Sequence, residues 1–106
     1  MLERDIQKQC IDYLLLKNIL ITRHTPTRLF NNKGIVAHAR VPKWELGVGD
    51  IICCVKGKYV ELEIKNEKGV LSDYQKIRRN HVIDAYGYYF VIRSPDDLIK
   101  ALEEVV

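Results

Sequence analysis

Residues 49–65 read GDIICCVKGKYVELEIK, and the arrangement of the rest of the chain follows from them. Ile51–Val55 and Tyr59–Ile64 are short runs of strand-forming residues separated by Lys56-Gly57-Lys58, a turn sequence. The pattern predicts a β-hairpin. Side chains alternate faces along a strand, so Glu61, Glu63 and Lys65 share one side while Val60, Leu62 and Ile64 share the other. A loop at Lys56-Gly57 sets Val55 against Lys58 and, counting back, Asp50 against Glu63, with Cβ atoms roughly 4.5–5.5 Å apart. The same register sets Ile51 opposite Leu62 and Cys53 opposite Val60, an apolar face ready for a core. A loop at Gly57-Lys58 leaves Asp50 diagonal to Glu63 on the same face. An odd loop turns Asp50 to the wrong side unless a bulge corrects it.

Two carboxylates that close repel, so one must be protonated or a cation must lie between them. A hard divalent ion with oxygen ligands suits such a pair, and Mg²⁺ keeps waters available to substrate oxygens. Lys65, about 6.6 Å along the strand from Glu63, can orient a water or offset charge developing on a phosphate. The other reading of the same residues is a solvated strand face, with Asp50 starting a turn.

Asp50 followed a hairpin later by Glu63-Ile64-Lys65 resembles the D…(D/E)xK signature of the PD-(D/E)xK nucleases. The wider set is more specific. Gly47-Val48-Gly49-Asp50-Ile51, Glu63-Ile64-Lys65, Gly69-Val70-Leu71-Ser72 and Gln75, after an opening helix with Glu3, are similar to the VRR-NUC (virus-type replication-repair nuclease) domain over nearly the whole chain. One departure is Val48-Gly49 where that family more often has a proline before the aspartate. The resemblance implies a metal-dependent endonuclease using Mg²⁺ or Mn²⁺, held by Asp50, Glu63 and the backbone carbonyl of Ile64. Lys65 would assist the attacking water, and hydrolysis would leave a 5′-phosphate and a 3′-hydroxyl. It further implies that Glu3 reaches the metal site, directly or through water, and that Gln75 positions water or phosphate beside it. Stand-alone domains of this kind resemble Holliday-junction resolvases. Branched DNA and a homodimer are therefore the expected partners, since symmetric cutting of a four-way junction needs two active sites.

Composition sets the outer bounds. The 106 residues fit one domain, 1–106, of globular composition, with a net charge of +3 that permits nucleic acid binding without demanding it. Three cysteines, with Cys53 and Cys54 adjacent and aimed at opposite faces, fit neither a disulfide framework nor a thiolate cage. They predict a reducing, intracellular setting. Glu3, Arg4 and Asp5 interrupt any apolar leader, and no apolar run is long enough to span a bilayer. Neither a membrane nor an organic cofactor is expected.

Residues 2–18 predict a helix with Leu2, Ile6, Cys10, Tyr13, Leu14 and Lys17 on one face, and Glu3 in its first turn favours the helix dipole. Ile19–Thr22 predicts a strand. From Thr22 to Trp44 there is no acidic residue, while Arg23, Arg28, Lys33, Arg40 and Lys43 fall in that span or at its edge. It reads as a long irregular segment with a turn at Asn31–Gly34, suited to a phosphate backbone. His24 and His38 lack metal-ligand spacing, and Trp44 is expected to shield or pack beneath the hairpin mouth. Ser72 and Gln75 form a capping box, independent of any catalytic role for Gln75, and open a helix running to about Ala85 and ended by Gly87. On that helix Arg78 and Arg79 are candidate phosphate contacts. Tyr88–Arg93 predicts a strand buried on both faces, and Ser94-Pro95-Asp96-Asp97 opens a last helix carrying Leu98, Ile99, Leu102 and Val105.

The order α-β-β-β-α-β-α gives an α/β fold, a mixed central sheet flanked by helices, which is the restriction-endonuclease-like core of the PD-(D/E)xK class. Two other functions compete with the structure-specific endonuclease. A non-catalytic nucleic-acid-binding module gains nothing from carboxylates that repel phosphate, and a sequence-specific restriction-type nuclease needs a subdomain for base contacts that the chain does not show.

Overall fold

The computed structural model describes residues 1–24, 28–31, 34–38 and 43–106. Its elements run α1 (Glu3–Leu16), β1 (Leu20–Arg23), β2 (Arg28–Asn31), β3 (Gly34–His38), a short 3₁₀ turn (Lys43–Glu45), β4 (Ile51–Val55), β5 (Lys58–Ile64), α2 (Asp73–Asp84), β6 (Tyr88–Ile92) and α3 (Pro95–Glu104). A four-stranded mixed sheet has the order β1-β4-β5-β6. β1, β4 and β5 are antiparallel neighbours, whereas β6 returns parallel to β5 after the α2 crossover. This is the mixed α/β architecture that the sequence predicts.

The central hairpin has the expected register, with Ile51 opposite Leu62, Cys53 opposite Val60 and Val55 opposite Lys58. Its turn carries left-handed backbone at Lys56 (φ 54°) and Gly57 (φ 76°), the twist that suits a two-residue connection between antiparallel strands. One sheet face carries Ile51, Cys53, Val60, Leu62 and Ile64 into a core with Ile6, Cys10 and Leu14 of α1 and Leu98, Ala101 and Val105 of α3. Each fully buried leucine or isoleucine contributes roughly 1.5–3 kcal/mol relative to exposure. The α1 stripe is narrower than predicted: Leu2 is 56% exposed and Lys17 is also at the surface, its ammonium over the Tyr13 ring. Cys10 and Cys53 are buried free thiols and Cys54 is exposed, as opposite faces require. Among the described residues no helix is long and apolar enough to cross a membrane.

Three expectations need correction. The basic segment is not irregular in its described parts, because β2 and β3 pair as an antiparallel hairpin with Asn31 opposite Gly34. β6 is an edge strand, so only Tyr89 and Ile92 are buried and the others are partly covered. Trp44 is 75% exposed, so it does not pack beneath the hairpin mouth.

α2 ends where expected, with Ala85 as its C-cap and Gly87 just beyond. Gly87 N–H bonds to the Val82 carbonyl and Tyr86 N–H to that of Ile83, but the left-handed residue is Tyr86 (φ 67°), not the glycine. Gly87 is favoured for space, since a Cβ there would lie 2.9 Å from Val82 Cγ1. Tyr86 is 92% exposed and gains almost no packing for its strained backbone. Tyr86→Gly is expected to raise the unfolding free energy by about 0.5–1 kcal/mol, read as a higher urea midpoint at unchanged slope.

Candidate active site

Asp50 and Glu63 meet where the hairpin opens. Asp50 directly precedes β4, whose first pair is Ile51 with Leu62, so continuing the ladder one step brings Asp50 to Glu63. Asp50 Oδ2 accepts a 2.7 Å hydrogen bond from the Ile64 amide, which turns this carboxylate toward β5. Glu63 is only 4% exposed. Its Oε1 accepts from Gln75 Nε2 at 2.7 Å and lies 3.6 Å from Lys65 Nζ, while Oε2 is buried with no hydrogen-bond partner.

Charge is disfavoured on both acids. Burial, then the charge of Asp50, pushes the Glu63 pKa up to about 7, with Lys65 pulling the other way. Burial likewise raises Asp50, opposed by the Ile64 amide and Lys65. Glu3 adds its negative charge to both. It lies at the margin: its carboxylate accepts weakly, at 3.3 Å, from the Asn66 amide. Among the described residues no three histidine, cysteine, aspartate or glutamate side chains gather into a complete metal cage. Any cation would rest on Asp50, Glu63 and backbone or water oxygens. The buried Glu63 oxygen with no donor, beside a second carboxylate, fits a hard divalent ion.

Gln75 belongs to two structures at once. Its Oε1 accepts from the Ser72 amide and its own amide donates to Ser72 Oγ, closing the capping box, while Nε2 reaches Glu63. Gln75→Ala is expected to lower stability by about 1 kcal/mol and, independently, to slow any reaction dependent on Glu63, readable as a rate loss far below the melting transition. Arg93, not singled out from sequence, donates to the carbonyls of Asn66 and Gly69 at 2.7 Å each and braces the loop after Lys65. A Cβ at Gly69 would lie 3.1 Å from Lys65 Cδ, so the glycine leaves room for the lysine stem.

A cleft of about 290 Å³ lies over the carboxylates, lined by His24, Gly47, Asp50, Glu63, Tyr74 and Gln75 among others. His24 joins the site through the β1–β4 pairing, its amide donating to the Asp50 carbonyl at 2.9 Å, a placement that no local motif encodes. A slightly larger hollow, about 330 Å³, lies by the hairpin turn and the end of α2 but has no carboxylate in its lining.

The basic residues divide. Arg23 is exposed at the sheet edge and Arg79 is partly exposed on α2. Arg28 is placed in β2 and Lys43 in the 3₁₀ turn by backbone alone, and Lys33 and Arg40 lie outside the described residues. Arg78 is not available for phosphate. Its guanidinium is committed to Glu61, with a 2.6 Å contact, because that carboxylate is wholly buried and needs a countercharge.

No family model matches the sequence, and no curated protein does. Similarity appears in three dimensions. A solved structure described as a "VRR_NUC domain" superposes with a TM-score of 0.68 over 98% of this chain and 97% of that one, at 17% sequence identity. The chain has the fold of a VRR-NUC domain. Asp50, Glu63, Lys65 and Gln75, the residues on which the sequence resemblance rests, are gathered at one end of the VRR-NUC sheet. Glu3 stands beside them at the start of α1.

Proposed function

We propose that this protein is a metal-dependent, structure-specific DNA endonuclease. The observation that carries the proposal is the buried, donorless Oε2 of Glu63 beside Asp50, with the Lys65 ammonium 3.6 Å from the other Glu63 oxygen. Asp50, Glu63 and the backbone carbonyl of Ile64 would hold Mg²⁺ or Mn²⁺. Bound there, the ion would neutralise the carboxylate pair and stabilise charge developing on the scissile phosphate. Lys65 orients the attacking water by hydrogen bonding, and Gln75 keeps Glu63 turned inward. Glu3 supplies a further negative charge at the rim and would reach the ion directly or through water. Water oxygen bonds to phosphorus as the bond to the 3′ oxygen breaks, leaving a 5′-phosphate and a 3′-hydroxyl.

Arg23, Arg28, Lys33, Arg40, Lys43 and Arg79 are the proposed contacts to the phosphate backbone, and they specify no base sequence. Four-way junctions or related branched DNA are the proposed substrates and a homodimer the acting form, with the free thiols fitting a reducing compartment.

The test incubates labelled four-way junction, flap, splayed arm and plain duplex with Mg²⁺, Mn²⁺ or EDTA. Branched substrates are expected to be cut only with metal, and the nicks to be resealed by ligase without further treatment, as a 5′-phosphate beside a 3′-hydroxyl allows. Binding without cutting under all conditions would make the protein a non-catalytic nucleic-acid-binding module. Sequence-dependent cutting of duplex would point to a restriction-type enzyme, and a strict monomer in sedimentation with junction bound would remove the homodimer.

A further inference from the structure

Glu61 lies on the same strand face as Glu63 but touches neither Asp50 nor Lys65, and the proposed chemistry leaves it unused. It is 0% exposed, and every partner of its carboxylate can be named. The Gly49 amide donates to Oε1 at 2.9 Å, and the Tyr59 hydroxyl donates to Oε2. Arg78 donates from Nε to both oxygens at 3.3 and 3.1 Å and from the second terminal nitrogen to Oε2 at 2.6 Å. Burial opposes its charge, yet the bonds from Arg78, Tyr59 and Gly49 outweigh burial and hold the Glu61 pKa below its ordinary value.

The remaining donor of this network shows its purpose. Arg78 Nη1 donates to the Trp44 carbonyl at 3.0 Å. The Glu61–Arg78 pair thus grips a single loop at both ends, Trp44 at its start and Gly49 at its finish. Two further contacts press that loop inward. Tyr89 donates to the Gly47 carbonyl, and Gly47 (φ 80°) lies so close to α2 that a Cβ would meet the Tyr74 carbonyl oxygen at 2.3 Å. Gly49 also lies close on β5, with a Cβ position 2.9 Å from the Leu62 carbonyl oxygen. The residue after Gly49 is Asp50. A buried ion pair is weak support for stability, because apolar residues of the same volume often serve as well. Its specific use lies in fixing geometry.

We infer that Glu61 and Arg78 are positioning residues, which lock the loop 44–49 onto β5 and so set the Asp50 carboxylate against the Ile64 amide and Glu63. Arg78 and Gln75 are one turn apart on α2, so the same pair also sets where Gln75 meets Glu63. The inference rests on the endonuclease reading for its effect on rate, but not for its geometry.

The test uses the full chain and the apolar double variant Glu61→Leu/Arg78→Met, with the isosteric single variant Glu61→Gln beside it. The reporter is hydrogen exchange of the Ile64 amide, which bonds to Asp50 and to neither mutated residue. In the double variant this amide is expected to exchange at least about 10-fold faster while Cys53, Val60 and Leu62 keep their protection, and metal-dependent cleavage falls by about 10²-fold, the scale of a 1 Å misplacement. Glu61→Gln keeps an oxygen for the Gly49 amide but removes the charge that holds Arg78, so it should show the same selective change at smaller size. If the double variant does not fold, Arg78→Lys, which keeps the charge but cannot span from Glu61 to Trp44, should show the same selective change at smaller size. Unchanged Ile64 exchange, or a loss of protection spread evenly through the sheet, overturns the inference. If the parent protein cuts no DNA, the endonuclease reading fails and the exchange result still decides the positioning role.

Discussion

Glu63→Gln is expected to abolish metal-dependent cleavage and, at the same time, to make the metal-free protein more stable. Glu63 carries a carboxyl whose pKa in the fold is about 7 because burial and Asp50 disfavour its charge. A carboxyl in the unfolded chain ionises well below that. Between the two values the folded state binds more protons than the unfolded one, so stability falls as pH rises through the interval. The penalty is complete above about pH 7 and vanishes below the unfolded value. A neutral glutamine removes it. Its oxygen still accepts from Gln75, and its amide nitrogen takes the place of the donorless oxygen. At pH 8 the gain is on the order of 2 kcal/mol, measurable as a Tm several degrees higher without metal. The gain should fade at pH 4. Divalent ions should raise the Tm of the parent, more so at higher pH, and leave the variant unmoved. Equal Tm for both proteins at pH 8 without metal would show that Glu63 bears no such strain.

Asp50→Ala and Lys65→Ala are each expected to lower cleavage by at least about 10³-fold, but for different reasons that a binding measurement separates. Asp50 supplies an oxygen to the cation, so its loss should remove ion binding and turnover together. Lys65 carries no lone pair when protonated and stands 3.6 Å from Glu63, so its loss should stop turnover while calorimetry still detects Mn²⁺. Cleavage at the parental rate by either variant sinks the proposed mechanism.

The parts of the fold that could be read from sequence are those fixed by neighbours along the chain. The hairpin register follows from a short turn and from Ile51, Cys53, Val60 and Leu62 needing one common face. The caps at Ser72 and Ser94 are encoded within four residues. What escaped depends on where distant elements land. Glu61 alternates with Glu63 like a solvated charge, and only the arrival of Arg78 on α2 makes its burial tolerable. His24 enters the cleft because β1 pairs with β4. The turn at Asn31–Gly34 is legible in its Asn-Asn-Lys-Gly sequence, but the strands it joins are not, because the one-sided charge of the segment masks their short apolar runs. Tyr86 breaks the glycine preference one position early, and nothing local announces it.

The double engagement of Gln75 has a thermal corollary. Terminal turns of helices unwind at lower temperatures than a sheet core does, and Asp73 and Tyr74 beside it are open to solvent. Warming that loosens this turn withdraws the amide from Glu63 while the strands still hold. Turnover should therefore decline reversibly in a range where circular dichroism reports an intact protein, and recover in full on cooling.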